Sequence, residues 1–506
     1  MGIELLVEMA AEGFPGRPIV GRRSDGLTPE RLRAWAGRGA ELVRASGADS
    51  VVYIAGNGPE FTCALFTAAY AGVPLIPLNY RLGAEQLESL LDRHRSAYVI
   101  VDRGAVAPAV TVPEGSVTVQ DWWEAVRAPR RADEAAPEPV VVDDSAPAVY
   151  IYTSGTTSAP KGVVLRHTNL TSYVMGTTEF ASAEGSDAAL MSVPPYHIAA
   201  VANVLTNLYT GRRLLSLERF DAVEWLATVR EESVTSAFVV PTMLARIVSS
   251  PGDKALPSLR GVSYGGAPMP SSVISQALEL WPTVDFVNAY GLTETSSTVA
   301  LLGPEDHRAA VRSGDPDVRA RLSSVGRPLP GIELEIRGED GEVLEAGQVG
   351  RIHLTGAQVS GEYAGSGRAT DERSYFDTRD LGYLDAEGYL FILGRADDTI
   401  IRGAENIAPA EIEDVLVSHP AVSDVAVVGL PDEEWGQRIV AVATRDPRAD
   451  PVDPAELKAY VAARLRSSKT PDEIEFWEEL PRTETGKLVR RVVTAKLVER
   501  TEAGAS

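Results

Sequence analysis

Short apolar runs alternate with helix-patterned stretches through the first part of the chain, and this rhythm narrows the fold more than any other feature. Residues 51–54 read as a strand, 60–70 as a helix, 75–78 as a strand, 83–93 as a helix and 98–101 as a strand. Repetition of this kind lets successive strands lie parallel while helices cover the sheet. The stretch 128–145, rich in Pro, Ala and acids, reads as a linker or surface loop. A strand at 149–153 resumes the rhythm. From about residue 323 the character shifts: strands at 332–337, 350–354 and 389–393, separated by glycine-rich turns, suggest a small β-rich subdomain. Beyond the polar segment Ala396-Asp397-Asp398 come helical spacing over 412–417 with Pro409 near its start, strands over 425–428 and 439–444, and a helix over 454–465. The expected organisation is a large N-terminal α/β domain, 1–396, with βαβ subdomains and a small β-rich one, followed by a smaller α+β domain, 397–506. The boundary is placed at Asp397.

Composition excludes some functions. A net charge of −23 over 506 residues argues against nucleic-acid binding as the main task. It also means that an anionic ligand would need local cations and backbone N–H groups. Cys63 is the single cysteine, so neither an intramolecular disulfide nor a multi-cysteine metal site is available. It lies in the apolar stretch 61–70 and reads as a small core residue. The N-terminal residues carry Glu4 and Glu8 with no basic leader, and Leu6 stands where a myristoylation signal needs Ser or Thr. The most apolar run, 61–78, is broken by Gly72, Pro74 and Pro77, too interrupted for a membrane span. A cytoplasmic location and a frayed C-terminal tail are expected.

The segment Tyr152-Thr153-Ser154-Gly155-Thr156-Thr157-Ser158-Ala159-Pro160-Lys161-Gly162 directly follows a strand. Hydroxyls, a flexible glycine, backbone N–H groups and one cation suit polyphosphate. It is not the Walker loop, which needs G-x-x-x-x-G-K-[ST] opening a helix. In Asn288-Ala289-Tyr290-Gly291-Leu292-Thr293-Glu294-Thr295 a carboxylate stands beside a hydroxyl, a pair able to hold Mg²⁺. Tyr264-Gly265-Gly266-Ala267-Pro268 offers small residues that let a ligand approach the backbone.

These segments, with Pro194-Pro195-Tyr196-His197, Thr378-Arg379-Asp380-Leu381-Gly382-Tyr383, Gly394-Arg395 and Pro481-Arg482-Thr483-Glu484-Thr485-Gly486-Lys487, occur in the order of the motifs of the ANL superfamily of adenylate-forming enzymes. The chain resembles that superfamily, and its acyl-CoA synthetases in particular, from about residue 51 to 487. The resemblance implies ATP, Mg²⁺ and coenzyme A as cofactors, and an acid–thiol ligase that forms acyl-AMP, releases pyrophosphate and passes the acyl group to coenzyme A. It places Thr153, Ser154, Gly155, Thr156, Thr157 and Lys161 on the phosphates, Thr293 on the α-phosphate and Glu294 on Mg²⁺. Tyr290 packs on adenine, flanked by Asn288, Ala289 and Gly291, and Ile392 joins the nucleotide site. Gly266, Ala267 and Pro268 separate adenine from the acyl pocket. Asp380 takes the ribose hydroxyls, and Arg395 the ribose or phosphate. The segment of His197 gates the acyl pocket, and Lys487 is the adenylation catalyst. The small domain is implied to rotate about Asp397, bringing residues 402–406 to the site. Gly403 and Ala404 would border a pantetheine tunnel, and Trp435 is a coenzyme A contact or a core tryptophan.

Four positions depart from the pattern. Ser158 and Ala404 replace glycines, Arg379 replaces the small residue before Asp380, and Arg351 stands where Glu is usual. The acyl pocket is expected from 197–203, 238–242 and 265–267. These residues are mainly apolar or small and favour an aryl, alkyl or alicyclic acid. Delivery to an acyl carrier protein is the main alternative. A phosphotransferase and a non-catalytic nucleotide-binding module are lesser ones, and a homodimer is left open.

Overall fold

Alternation along the first strands decides which helix covers which face. Ser50–Ile54, Leu75–Pro77 and Ala97–Val101 lie parallel, joined by the helices Pro59–Ala71 and Ala84–Asp92. Side chains on a strand point alternately to its two faces. Val51 and Tyr53 therefore pack in the cluster of Phe61, Leu65 and Phe66. Val52 and Ile54 pack with Leu87, Leu90 and Leu91 on the other face. The computed structural model describes residues 1–129, 139–153, 160–402, 405–432, 435–483 and 486–504.

Among the described residues this first sheet has eight strands. Pro147–Thr153, Lys161–Arg166, Glu362–Tyr363 and Gly367–Arg368 extend it on one side. A second sheet of seven strands runs parallel through Arg213–Ser216, Ala188–Met191, Ser236–Val239, Gly261–Gly265 and Asp285–Leu292, with Ser297–Leu302 and Arg327–Pro328 antiparallel at its edge. The two sheets share one core. In Pro59–Ala71 residues 61–71 are buried throughout, as befits a helix that is apolar all round. Two N-terminal helices, Glu4–Gly13 and Pro29–Ser46, to which the sequence reading gave no element, pack on the same core.

The β-rich subdomain is an antiparallel sheet of Glu333–Arg337, Gly350–Thr355, Phe376–Leu384 and Leu390–Arg395. A 3₁₀ turn, Ala396–Asp398, follows. Ile400 and Ile407, on the hairpin Ile400–Arg402 and Glu405–Ile407, already belong to the small domain's core. There, Val422–Asp432, Gly436–Arg445 and Glu473–Phe476 form a sheet. Val425 and Val427 face the helices Pro409–Val417 and Pro454–Ala462, while Ala426 and Val428 face Arg490–Gly504. No helix among the described residues is long and apolar enough to cross a membrane.

Candidate active site

In an open α/β sheet, ligands gather outside the carboxyl ends of the parallel strands. In the second sheet these ends lead to His197, Thr242, Gly266 and Tyr290. In the first, Pro147–Thr153 ends at Thr153, which pairs with Lys161 on the returning strand. Ser154, Gly155, Thr156, Thr157 and Ser158 lie outside the described residues, as do Gly403 and Ala404.

The glycines at the site answer to different constraints. A Cβ on Gly265 would lie 2.2 Å from the Ala289 carbonyl oxygen of the neighbouring strand. Gly265 is therefore required by strand packing, not by a ligand. A Cβ on Gly266 would make only an ordinary contact with Val240 at 3.8 Å, but its φ of +83° is one an L side chain adopts only with strain. Half-buried Ala267 and exposed Pro268 follow it.

The strand Asp285–Leu292 carries Asn288, Ala289, Tyr290 and Gly291 to a short 3₁₀ turn, Thr293–Thr295. The Asn288 amide donates to the Ser324 carbonyl at 3.0 Å. The turn is fastened by residues 358–361. Ser360 and Gly361 N–H donate to the Glu294 carbonyl at 2.9 and 3.1 Å, and the Gln358 amide donates to the Thr295 carbonyl at 3.1 Å. Tyr290 shares an apolar cluster with half-buried Ile392 and donates its hydroxyl to Asp380 at 2.6 Å. Arg395 donates to the other Asp380 oxygen at 3.0 Å. Asp380 is thus buried with two donors on it. Burial holds its carboxyl above the usual range, against the pull of Arg395, Tyr290 and Lys487. Sequence reasoning missed the Tyr290–Asp380 link, which joins two motifs 90 residues apart.

The small domain supplies Lys487. Gly486 N–H donates to the Thr483 carbonyl at 2.8 Å, and Lys487 N–H to the Thr483 hydroxyl at 3.0 Å. Gly486 has a φ of +79°, and a Cβ there would lie 2.5 Å from the Thr242 hydroxyl on the large domain. Only glycine lets the turn dock this closely. Lys487 keeps contact with solvent, yet the protein gathered round it lowers its pKa, and Arg395 adds to this while Asp380 and Glu294 oppose it. Lys487, Glu294, Asp380 and Arg395 therefore share one electrostatic site across the two domains. His197 adjoins it. Burial, and secondarily Lys487, push its imidazole down to about 4, so it is neutral at physiological pH.

The site offers hard oxygen donors but no cage. Among the described residues no group of three or more His, Cys, Asp or Glu could hold a metal. A single carboxylate, Glu294, beside the Thr293 hydroxyl fits an ion that arrives on a polyphosphate and keeps most of its ligands there.

Two departures from the motif pattern find partners. Arg351 pairs with Asp377 at 2.6 Å, and the same aspartate accepts the Arg379 N–H at 2.8 Å. Arg379 has a φ of +60° where glycine would be unstrained, and its guanidinium lies 3.7 Å from Asp397. Trp435 is 46% exposed under the Arg402 guanidinium, so it is not a core tryptophan.

The AMP-binding enzyme family matches residues 7–364, and its C-terminal domain matches 411–487. The chain belongs to this family. It is 34% identical over 483 residues to the long-chain-fatty-acid–CoA ligase FadD13 of Mycobacterium tuberculosis, covering 92% of each chain. It is 31% identical over 505 residues to the fatty acid–[acyl-carrier-protein] ligase ScoC of Streptomyces coeruleorubidus, covering 95% of this chain and 93% of that one. Among solved structures, o-succinylbenzoate CoA synthetase (MenE) from Bacillus subtilis with its acyl-adenylate intermediate superposes with a TM-score of 0.83 at 28% identity, over 96% of this chain and 97% of that one. A large α/β N-terminal domain with a small C-terminal domain is the architecture of these adenylate-forming enzymes.

Proposed function

We propose that the protein activates a hydrophobic carboxylic acid with ATP and passes the acyl group to the thiol of coenzyme A, in the cytoplasm. The observation that carries the reading is the docking of Gly486 of the small domain against Thr242 of the large one, which brings Lys487 within electrostatic reach of Glu294, Asp380 and Arg395. The acid's carboxylate oxygen attacks the α-phosphorus and pyrophosphate leaves. Two anions must approach, so cations and donors are needed where charge collects. Lys487 bridges the carboxylate and the α-phosphate, Thr293 donates to the α-phosphate, and Thr153 and Lys161 hold the outer phosphates. Glu294 would hold Mg²⁺, which would supply neutralisation of phosphate charge. Asp380 accepts from the ribose hydroxyls, and Tyr290 packs on the adenine.

In the second half-reaction the thiolate attacks the acyl carbon and AMP leaves. The domains are divided as 1–396 and 397–506, with rotation about Asp397 withdrawing Lys487 and presenting the face that carries Arg402 and Trp435. The acyl pocket is lined from residues 197–203, 238–242 and 265–267. The Asn203 amide nitrogen donates back to the Ala199 carbonyl at 2.8 Å. The lining is mainly apolar or small, which supports an apolar acid.

Acids of aryl, alkyl and alicyclic type, incubated with MgATP, are expected to give AMP and pyrophosphate, and thioester once coenzyme A is added. Release of ADP would overturn the reading. Thioester on a phosphopantetheinylated carrier but not on free coenzyme A would move the acceptor to the carrier, the acceptor named for ScoC.

The half-exposed Arg379–Asp397 pair lies at the proposed hinge and favours the arrangement with Lys487 in the site. Such a pair contributes about 0.5–1 kcal/mol, or roughly two- to fivefold in an equilibrium. Arg379→Gly is therefore expected to speed thioester formation from preformed acyl-adenylate by about two- to fivefold. Single-turnover kinetics check this, and an unchanged rate removes the clamp.

A further inference from the structure

Tyr363 was singled out by no motif, yet it touches both charged elements of the phosphate site. Its hydroxyl donates to Glu294 Oε1 at 2.8 Å. Its ring lies 5.6 Å from the Lys161 ammonium, within cation–π range. Its backbone is held from two directions. Tyr363 lies opposite Val163 on the strand that begins with Lys161, and Ala364 N–H donates to the Gly162 carbonyl at 2.8 Å. Three and two residues earlier, Ser360 and Gly361 hold the Glu294 carbonyl. Arg166 and Glu362 close a two-pronged pair, at 2.9 and 2.7 Å, that fixes the short strand. One segment thus grips the base of the phosphate loop's returning strand and the turn that presents Glu294.

Opposite charges brought this close would ordinarily pair with each other. No ion pair joins Lys161 and Glu294 among the described residues. The aromatic ring takes the ammonium on its face, and the phenol takes one carboxylate oxygen, the other having no hydrogen bond among the described residues.

We propose that Tyr363 is a positioning residue: its hydroxyl aims the Glu294 carboxylate at nucleotide-bound metal, and its ring keeps Lys161 apart from that carboxylate and directed at phosphate. The inference rests on the reading of Glu294 as the metal-facing group.

The test titrates Mn²⁺ into the full-length protein saturated with a non-hydrolysable ATP analogue, reading bound metal by electron paramagnetic resonance. Metal-free binding of the same analogue is measured in parallel by calorimetry. Tyr363→Phe keeps the ring and loses the hydroxyl. It is expected to weaken Mn²⁺ binding about three- to tenfold, the order of one ordinary hydrogen bond because the hydroxyl acts on the metal only through Glu294, and to leave metal-free analogue binding unchanged. Tyr363→Leu loses both contacts and is expected to weaken metal-free binding as well. Glu294→Gln serves as the reference for the site. If Glu294→Gln weakens Mn²⁺ binding and Tyr363→Phe stays within twofold of the parent, the inference falls and the site assignment stands. If Glu294→Gln also leaves Mn²⁺ binding intact, both fall. Should the leucine variant fail to fold, the phenylalanine variant alone decides.

Discussion

Lys487→Ala is expected to slow acyl-adenylate formation by about 10²–10³-fold, the usual loss when one donor aimed at developing charge is removed. Thioester formation from preformed acyl-adenylate should stay within about threefold of the parent, because the proposed rotation has by then taken Lys487 away. The asymmetry follows from placement. Lys487 is held by a turn of the small domain, docked on Thr242 through Gly486, while its electrostatic partners belong to the large domain. Rapid-quench measurement of each half-reaction separates the two rates. Equal losses in both would count against domain rotation, and no loss in the first would remove the catalytic role.

A pH profile adds a second readout. The ammonium must be charged to bridge two anions, and the surrounding protein lowers its pKa. The alkaline limb of kcat/KM for adenylation, which reports the free enzyme, should therefore fall below the range of a free lysine. Lys487→Arg, which stays charged, should lose that limb even where its rate is lower.

How much of this was legible in the sequence depended on where the signal lay. The strands at 51–54, 75–78 and 98–101 were visible because both their faces are buried and they read as apolar runs. The strand Phe376–Leu384 was not. Its inward positions are Phe376, Thr378, Asp380 and Gly382, so the face that carries the site lacks hydrophobic alternation. Asp380 was found instead through its local motif. The helices Glu4–Gly13 and Pro29–Ser46 went unassigned although Thr28 caps the second, its hydroxyl accepting from the Arg31 N–H. Motif order placed Lys487, Glu294 and Arg395 together, but no spacing could reveal Tyr363. Its role depends on two segments about 70 and 200 residues away, a relation that only the packed chain creates. Gly265 was the converse: a motif glycine whose need comes from strand approach, which sequence reading ascribed to ligand access.

Asp380→Asn should affect both half-reactions alike, since the proposed rotation leaves the nucleotide on the large domain. Hydrogen bonds to a charged acceptor contribute about 1.5–3 kcal/mol, so MgATP affinity is expected to fall about 10–100-fold. The effect on the free protein should run the other way. Burial raises the Asp380 pKa above its unfolded value. The folded state therefore disfavours the ionised carboxylate, and that cost is present in full at neutral pH. It is relieved as pH falls through the raised pKa, where the folded state takes up a proton first. Asparagine carries no such cost, and its carbonyl can still accept from Tyr290 or from Arg395, which is 39% exposed and can turn to water for the remainder. Thermal unfolding of the nucleotide-free protein should thus show the variant at least as stable as the parent at neutral pH, with its relative advantage shrinking as the solution is acidified. Loss of affinity together with retained stability is the signature of a group placed for its ligand at the fold's expense. A parallel loss of both would make Asp380 a structural partner of Arg395. Replacing ATP by 2′-deoxy-ATP distinguishes the two further: the parent should lose affinity for the deoxy nucleotide, and the asparagine variant should lose much less.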